Sequence, residues 1–411
     1  MRHTLALVLL AAVATAADVP PQYRPLHDQL AARLARFEGA IASRWDGRRH
    51  DVAFSAELLS ANGHRALALL PAAEFEGMKL ELVRLRGLGA TAVSLSVPFP
   101  ILHRPFYDWL RAQPGSPLEA DRDHHAEMVA RYRAVIAAAR AIGFAKVVAE
   151  TGGLFTIPGI GDADLRLADY YRTLGGGRYA AGRAEMSAVI ARELAPDWLT
   201  ICTEPDTELD QTGHDVGSTP TEYRRFIRYA AGLIRAARPV RVCAGIGTWH
   251  PRWREMGDAC LAAGVDVLDI HIYPINHDFL DRALILAARA RASGRGAGVS
   301  EAWLFKAADT ELADPAASVA IFARDAFSFW GGLDARFLRD LVAFSHWQRL
   351  EFCSPFWSQR FWAGVDHEAW MDLPENAMRV MDISGAAAAQ ALIAGETTEA
   401  GRAYGAYVSG R

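Results

Sequence analysis

Lysine is almost missing from this chain of 411 residues: only Lys79, Lys146 and Lys306 occur, and the other cations are arginines. An enzyme working through a lysine Schiff base would have to use one of those three. The net charge of −4 supplies no concentrated basic surface, which excludes a nucleic-acid partner. Cysteine is also scarce. Cys202, Cys243, Cys260 and Cys353 form neither a CxxC pair nor a zinc-ligand spacing, which excludes a disulfide-knot domain and a structural zinc module. A Cys243–Cys260 bridge and four buried thiols both remain open. Beyond the N-terminus no run of about 20 uncharged apolar residues occurs, so no membrane-spanning helix and no membrane partner are expected. A Gly-rich phosphate turn is missing as well: the first apolar strand leads into Ser60-Ala61-Asn62-Gly63-His64. That counts against a doubly wound nucleotide-binding sheet.

With 51% hydrophobic and 22% charged residues, the chain has the composition of a folded globular protein. Arg2 and His3 precede an apolar run from Leu5 to Val13, and Ala14-Thr15-Ala16 follows as a small-x-small cleavage signal. Residues 1–16 are therefore expected to be a removed export signal, placing the mature protein in the periplasm or outside the cell. Residues 17–50 read as an N-terminal helical extension, and residues 51–411 as one domain. In that domain eight apolar segments alternate with amphipathic helices: Val52–Leu59, Thr91–Val97, Ala145–Thr151, Trp198–Glu204, Val240–Thr248, Val267–Tyr273, Gly298–Trp303 and Glu351–Trp357. Intervening stretches such as residues 221–238 carry apolar side chains at helical spacing. Thr219-Pro220-Thr221-Glu222 reads as a helix start, and Gly143, Gly264 and Gly294 as helix ends. Strict alternation of strand and helix predicts an α/β fold, a single-domain (β/α)8 TIM barrel.

In such a barrel the chemistry belongs at the carboxyl ends of the strands. The fourth segment ends in Glu204 and the seventh in Glu301, each a charge closing an apolar run. The two strand ends should face each other across the barrel mouth. On the sixth segment Asp269, His271 and Tyr273 share one face, a polar row that needs hydrogen-bonding partners inside a barrel. A pair of carboxyl groups is what glycosidic cleavage requires, one protonating the leaving oxygen while the other attacks the anomeric carbon.

Thr203-Glu204-Pro205, Ser300-Glu301, His271-Ile272-Tyr273-Pro274 and Ser354-Pro355-Phe356-Trp357 together resemble motifs of the retaining (β/α)8 glycoside hydrolases of clan A, a superfamily including many cellulases, mannanases, xylanases and galactanases. The resemblance implies that Glu204 is the acid/base, Glu301 the nucleophile, Tyr273 a hydrogen-bond donor to that nucleophile, and Trp357 a floor under the sugar. Two departures stand out. Thr203 occupies the place where the clan usually carries Asn, and the second strand lacks the Arg found there in several families.

Sugar C–H faces stack on flat indole rings, and Trp249, Trp303 and Trp357 are expected to contact substrate beside Thr203, His271 and Tyr273. Phe305, Phe361 and Trp362 are expected to pack at the rim. Glu57, Glu150 and Asp206 are acids near the rim, suited to sugar hydroxyls or to structural roles. The Gly-rich stretch 152–180, with Tyr170 and Tyr171, reads as a long rim loop.

The expected activity is retaining hydrolysis of β-linked poly- or oligosaccharides by a monomer needing no cofactor and no metal. A catalytically lapsed, carbohydrate-binding barrel is the alternative. A metal-dependent barrel hydrolase would want an HxH pair on the first strand, and Phe54 to Ser60 contains no His. A barrel aldolase would want a lysine on the sixth strand, which has none.

Overall fold

The computed structural model describes residues 19–58, 72–116, 118–153, 156–157, 165–273, 279–311, 317–355, 358–370 and 377–410. All eight expected strands are there: β1 (Ala53–Phe54), β2 (Ala92–Ser96), β3 (Lys146–Glu150), β4 (Trp198–Thr200), β5 (Arg241–Gly247), β6 (Val267–His271), β7 (Gly296–Ala302) and β8 (Phe352–Pro355). They pair in the order β1-β8-β7-β6-β5-β4-β3-β2, every pair parallel. The ring closes where Thr91 N–H donates to the Phe54 carbonyl at 2.8 Å and Glu57 bridges Ser94. Each strand thus neighbours those before and after it in sequence, which distinguishes a barrel from an open doubly wound sheet.

Nearly every strand residue is buried, because a parallel sheet wrapped by helices has no face left in water. At the amino end one side chain from each of seven strands closes the interior: Ala53, Ala92, Val148, Trp198, Cys243, Val267 and Phe352. The remaining strand, β7, offers Gly298, where a Cβ would fall 2.4 Å from the Phe352 ring. A larger residue there would evict the phenyl group that fills the floor. The floor is therefore packed with apolar side chains, and the polar residues collect at the opposite, carboxyl end.

The N-terminal extension is the helix Arg24–Arg44, whose buried stripe Leu26, Leu30, Leu34, Phe37 and Ile41 lies against the helix Gly331–Gln348. Helix boundaries follow the signals in the sequence. Thr219 caps the helix Pro220–Ala237 by accepting from Glu222 N–H at 3.3 Å, with Pro at the first position. Gly143 and Gly264 end their helices in the left-handed conformation, at φ of 102° and 88°. Among the described residues no helix is long and apolar enough to cross a membrane.

Two expectations are corrected or resolved. Much of the stretch 152–180 is not loop: the helix Ala168–Leu194 begins inside it, broken only at Gly175, where φ is 58°. Its own Tyr170, Tyr171 and Tyr179 are buried, and this aromatic packing outweighs the roughly 1 kcal/mol that each helical Gly costs. The cysteines form no bridge. All four are free and buried, packed as small apolar groups. The expected export signal, Ser60 to His64, Pro274, Phe356 and Trp357 lie outside the described residues.

Candidate active site

Glu204 and Glu301 emerge from the strands at the carboxyl mouth. After β4 the chain stays hydrogen-bonded to β5, through Gly245 N–H to Cys202 O at 3.0 Å and Gly247 N–H to Thr203 O at 3.0 Å. It then turns at Glu204 into the helix Pro205–Thr212. Pro205 fixes φ for the first helical residue, so Glu204 is pinned between a strand and a helix start. Glu301 lies within β7, one residue from its end.

His271, at the end of β6, joins them. Its Nδ1 lies 2.7 Å from Glu204 Oε1 and 3.6 Å from Glu301 Oε2. Both carboxyl groups therefore reach the same imidazole nitrogen, which brings one oxygen of each within about 6.3 Å of the other. The other ring nitrogen, Nε2, is 2.8 Å from Thr203 Oγ1, 2.9 Å from Ser300 Oγ and 3.0 Å from Glu150 Oε1. Thr203 in turn donates to Glu150 at 3.0 Å. Tyr273 donates its hydroxyl hydrogen to Glu301 Oε1. The His271 side chain is 1% exposed, whereas Glu150, Glu204 and Glu301 keep 18%, 22% and 17%. The imidazole thus lies beneath a layer of carboxyl groups that still reach solvent.

The charges follow from this layering. Burial opposes a proton on His271, but Glu150 and Glu301 beside it prevail and hold the imidazole cationic well above its ordinary range. Burial likewise pushes Glu150 up, yet the His271 cation and hydrogen bonds from His271, Thr203 and Ser300 bring it below the usual carboxylate value. Glu301 is raised well above its usual value, by burial first and then by Glu204, Glu150 and Glu57. Asp269 sits deeper, raised by burial; Thr200 Oγ1 donates to it at 2.6 Å and Ser300 N–H at 2.9 Å. Its place is in the structural floor beneath the site.

Glu57, at the mouth end of the first strand segment, is pushed up to about 8 by burial and by the Glu150 charge. A carboxyl neutral in the fold but ionised at 4.5 when unfolded lets the unfolded chain release its proton first. Stability must therefore fall as pH rises from about 4.5 to about 8 and level off above. Glu57→Gln keeps a neutral side chain and should lose that slope. The variant should gain on the wild type across the window, by about 5 kcal/mol at the upper bound, less because Glu57 keeps partial exposure and solvent screens it. Denaturant unfolding at several pH values checks this, and parallel stability curves would refute it.

The aromatic side chains divide. Trp249 is partly exposed; its Nε1–H donates to Asp206 Oδ2 at 3.2 Å, and its ring meets Tyr273 edge-on at 5.3 Å. Trp303 is different. It is 2% exposed, its Nε1–H bonds Asp325 at 3.1 Å and its ring lies 5.2 Å from the Lys306 ammonium, so no face is free for a sugar. Phe305, Phe361 and Trp362 are buried packing residues, and Trp357 lies outside the described residues.

Glu150 is the participant whose central place between Thr203 and His271 sequence reasoning missed. It ends the apolar strand Lys146–Glu150 just as Glu204 and Glu301 end theirs, so the same signal was available. Glu150, His271 and Glu301 also bring one ligand atom each within 4.8 Å of one another, a spacing that a cation could use.

Comparison with known proteins finds no matching family model and no matching curated protein. Solved structures do match. A GH5_18 protein from Bifidobacterium longum subsp. infantis is similar at 12% identity over 87% of this chain and 79% of its own, with a TM-score of 0.52. A hyperthermophilic β-glucosidase from Pyrococcus furiosus is similar at 10% identity, 83% and 98% coverage and a TM-score of 0.46. A GH30 endoxylanase from Clostridium papyrosolvens C71 is similar at 15% identity and a TM-score of 0.42, over 76% of this chain and 66% of its own. The first likeness bears on the fold, a (β/α)8 barrel, and on nothing further at that identity.

Proposed function

We propose that this protein is an exported, retaining glycoside hydrolase of β-linked poly- or oligosaccharides. Glu301 is its nucleophile and Glu204 its acid/base. The observation that carries the reading is the meeting of these two carboxyl groups on one imidazole nitrogen at the barrel mouth, the pairing of acids that glycosidic cleavage requires. In the first step Glu301 attacks the anomeric carbon while Glu204 gives its proton to the departing oxygen, leaving a glycosyl ester on Glu301. In the second, Glu204 takes a proton from water, the water oxygen attacks the same carbon, and the ester bond breaks to restore Glu301.

The surrounding side chains support those roles. The Tyr273 hydroxyl engages Oε1 of Glu301 and so orients the carboxyl with Oε2 toward the side shared with Glu204. The Trp249 ring, held at its edge by Asp206, supplies a partly exposed apolar face for a sugar. A lapsed barrel that only binds carbohydrate is the second reading. It is favoured by Thr203, whose hydroxyl is taken up by Glu150 and His271.

Incubation with β-mannan, xylan, galactan and glucan, with the first-formed product followed by NMR, tests the proposal. The expected result is new reducing ends on at least one of these glycans, in the β configuration before mutarotation. First-formed α product would refute retention, and binding without new reducing ends would select the lapsed barrel.

A further inference from the structure

Next to Glu204, buried among the exits of β3 and β4, lies an ion pair that the chemistry above does not use. Arg183, on the helix Ala168–Leu194, is 0% exposed, and Glu208, on the short helix that Glu204 begins, is 2% exposed. The guanidinium grips both carboxylate oxygens, Nε to Oε1 at 2.6 Å and Nη2 to Oε2 at 3.0 Å. Its remaining donors reach backbone and side chain at two strand exits. Nη1 donates to Thr151 Oγ1 at 2.7 Å, and Nη2 lies 2.9 Å from Ile201 O and 3.2 Å from Thr151 O. Tyr179 donates a further hydrogen bond to Glu208 at 2.7 Å.

These partners are not scattered. Thr151 follows Glu150, Ile201 stands three residues before Glu204, and Glu208 N–H bonds the carbonyl of Glu204 itself at 2.9 Å. One planar cation therefore ties together the exit of β3, the exit of β4 and the first turn of the helix that Glu204 caps. The packing leaves little slack. At Gly153 a Cβ would fall 2.6 Å from Thr212 and 3.0 Å from Glu208, so the chain after β3 lies directly on that helix. A fork of fixed geometry suits this better than an ammonium, which has no plane and cannot bond both carboxylate oxygens in parallel.

We propose that Arg183 and Glu208 are positioning residues that hold Glu204 in line for proton transfer, an inference resting on the double-displacement reading. Neither side chain is placed to touch substrate. Their effect is to fix where the strand ends and the helix begins, and with it the Glu204 carboxyl. A displacement of about 1 Å at such a group costs on the order of 100-fold in rate.

The test separates loss of proton transfer from loss of structure. An aryl glycoside with a poor leaving group, phenyl, needs the acid; a dinitrophenyl glycoside leaves with little help. Arg183→Met strands a buried carboxylate, so the double variant Arg183→Met/Glu208→Met, which removes both charges together, guards against simple misfolding. In the double variant, kcat/KM for the phenyl glycoside should fall about 100-fold and for the dinitrophenyl glycoside less than about fivefold. Arg183→Lys should lie between the double variant and wild type. Equal loss on both substrates, or no loss on either, would overturn the positioning role. Wild-type protein that cleaves neither substrate would instead overturn the hydrolase reading on which the role rests.

Discussion

Glu301→Ala is expected to lower turnover of an aryl β-glycoside by about 10⁴–10⁶-fold, the scale seen when a nucleophile acting in concert with its partners is deleted. The loss should be nearly the same whatever the leaving group, because no glycosyl ester can form. Added azide should then enter the space left by the carboxylate and yield the α-glycosyl azide. Glu204→Ala should behave in the opposite way. It should still form the glycosyl ester from a dinitrophenyl glycoside, then stall, and azide should release it as the β-glycosyl azide, attacking from the face opposite Glu301. Product stereochemistry by NMR reads both. A Glu301→Ala protein within tenfold of wild type, or the same azide anomer from both variants, would refute the assignment.

On the proposed double-displacement reading, Glu301 also sets the acid limb of the pH profile. Glu301 is raised well above its usual value, by burial and by Glu204, Glu150 and Glu57 together. It must lose its proton to attack, so kcat/KM should begin to fall at a pH above the ordinary carboxylate range as the solution is acidified.

The barrel was legible in the sequence because each strand is a short apolar run ended by turn or cap residues, and burial on both faces demands that composition. Glu204 and Glu301 were legible for the complementary reason: a charge at the end of such a run has no use in a core. His271 and Tyr273 followed from alternation along β6. Relations set by distant segments were not legible. Glu150 meets Thr203 only because β3 and β4 pair in the register Glu150 opposite Thr200, which no local spacing encodes. Trp303, two residues beyond Glu301, shares its side of the strand by alternation. Its ring is nevertheless buried, because Asp325 arrives from the segment after the helix Ala317–Arg324 to accept its N–H. The three glycines at 175–177 suggested a loop, and the burial of Tyr170, Tyr171 and Tyr179, which flank them in the same helix, overrode that local preference.

Lys306 carries the largest expected effect on stability. It is 0% exposed and sits in the segment after β7, its ammonium 2.6 Å from Asp325 Oδ1 and bonded also to Asp334. Asp325 has further partners in Arg360 at 3.1 Å and Trp303 at 3.1 Å, whereas Asp334 has Lys306 as its ion-pair partner among the described residues. Even so paired, Asp334 is pushed up to about 7, by burial first and then by Asp325 against the pull of Lys306. Lys306→Met would remove that pull and leave a buried carboxyl to be neutralised by a proton. The expected destabilisation is about 3–5 kcal/mol. Its pH dependence follows from the sign of the shift. In the variant the folded Asp334 value rises further above 7 while the unfolded one stays at 3.8, so folded protein binds the proton more tightly than unfolded. The variant's stability should therefore drop as pH rises from about 4 through the folded value, and the gap to wild type should be wider at pH 8 than at pH 5. Lys306→Met/Asp334→Leu, with both charges gone, should recover most of the loss and flatten that dependence. Equilibrium unfolding of the three proteins at the two pH values checks the argument, and a gap that narrows toward pH 8 would overturn it.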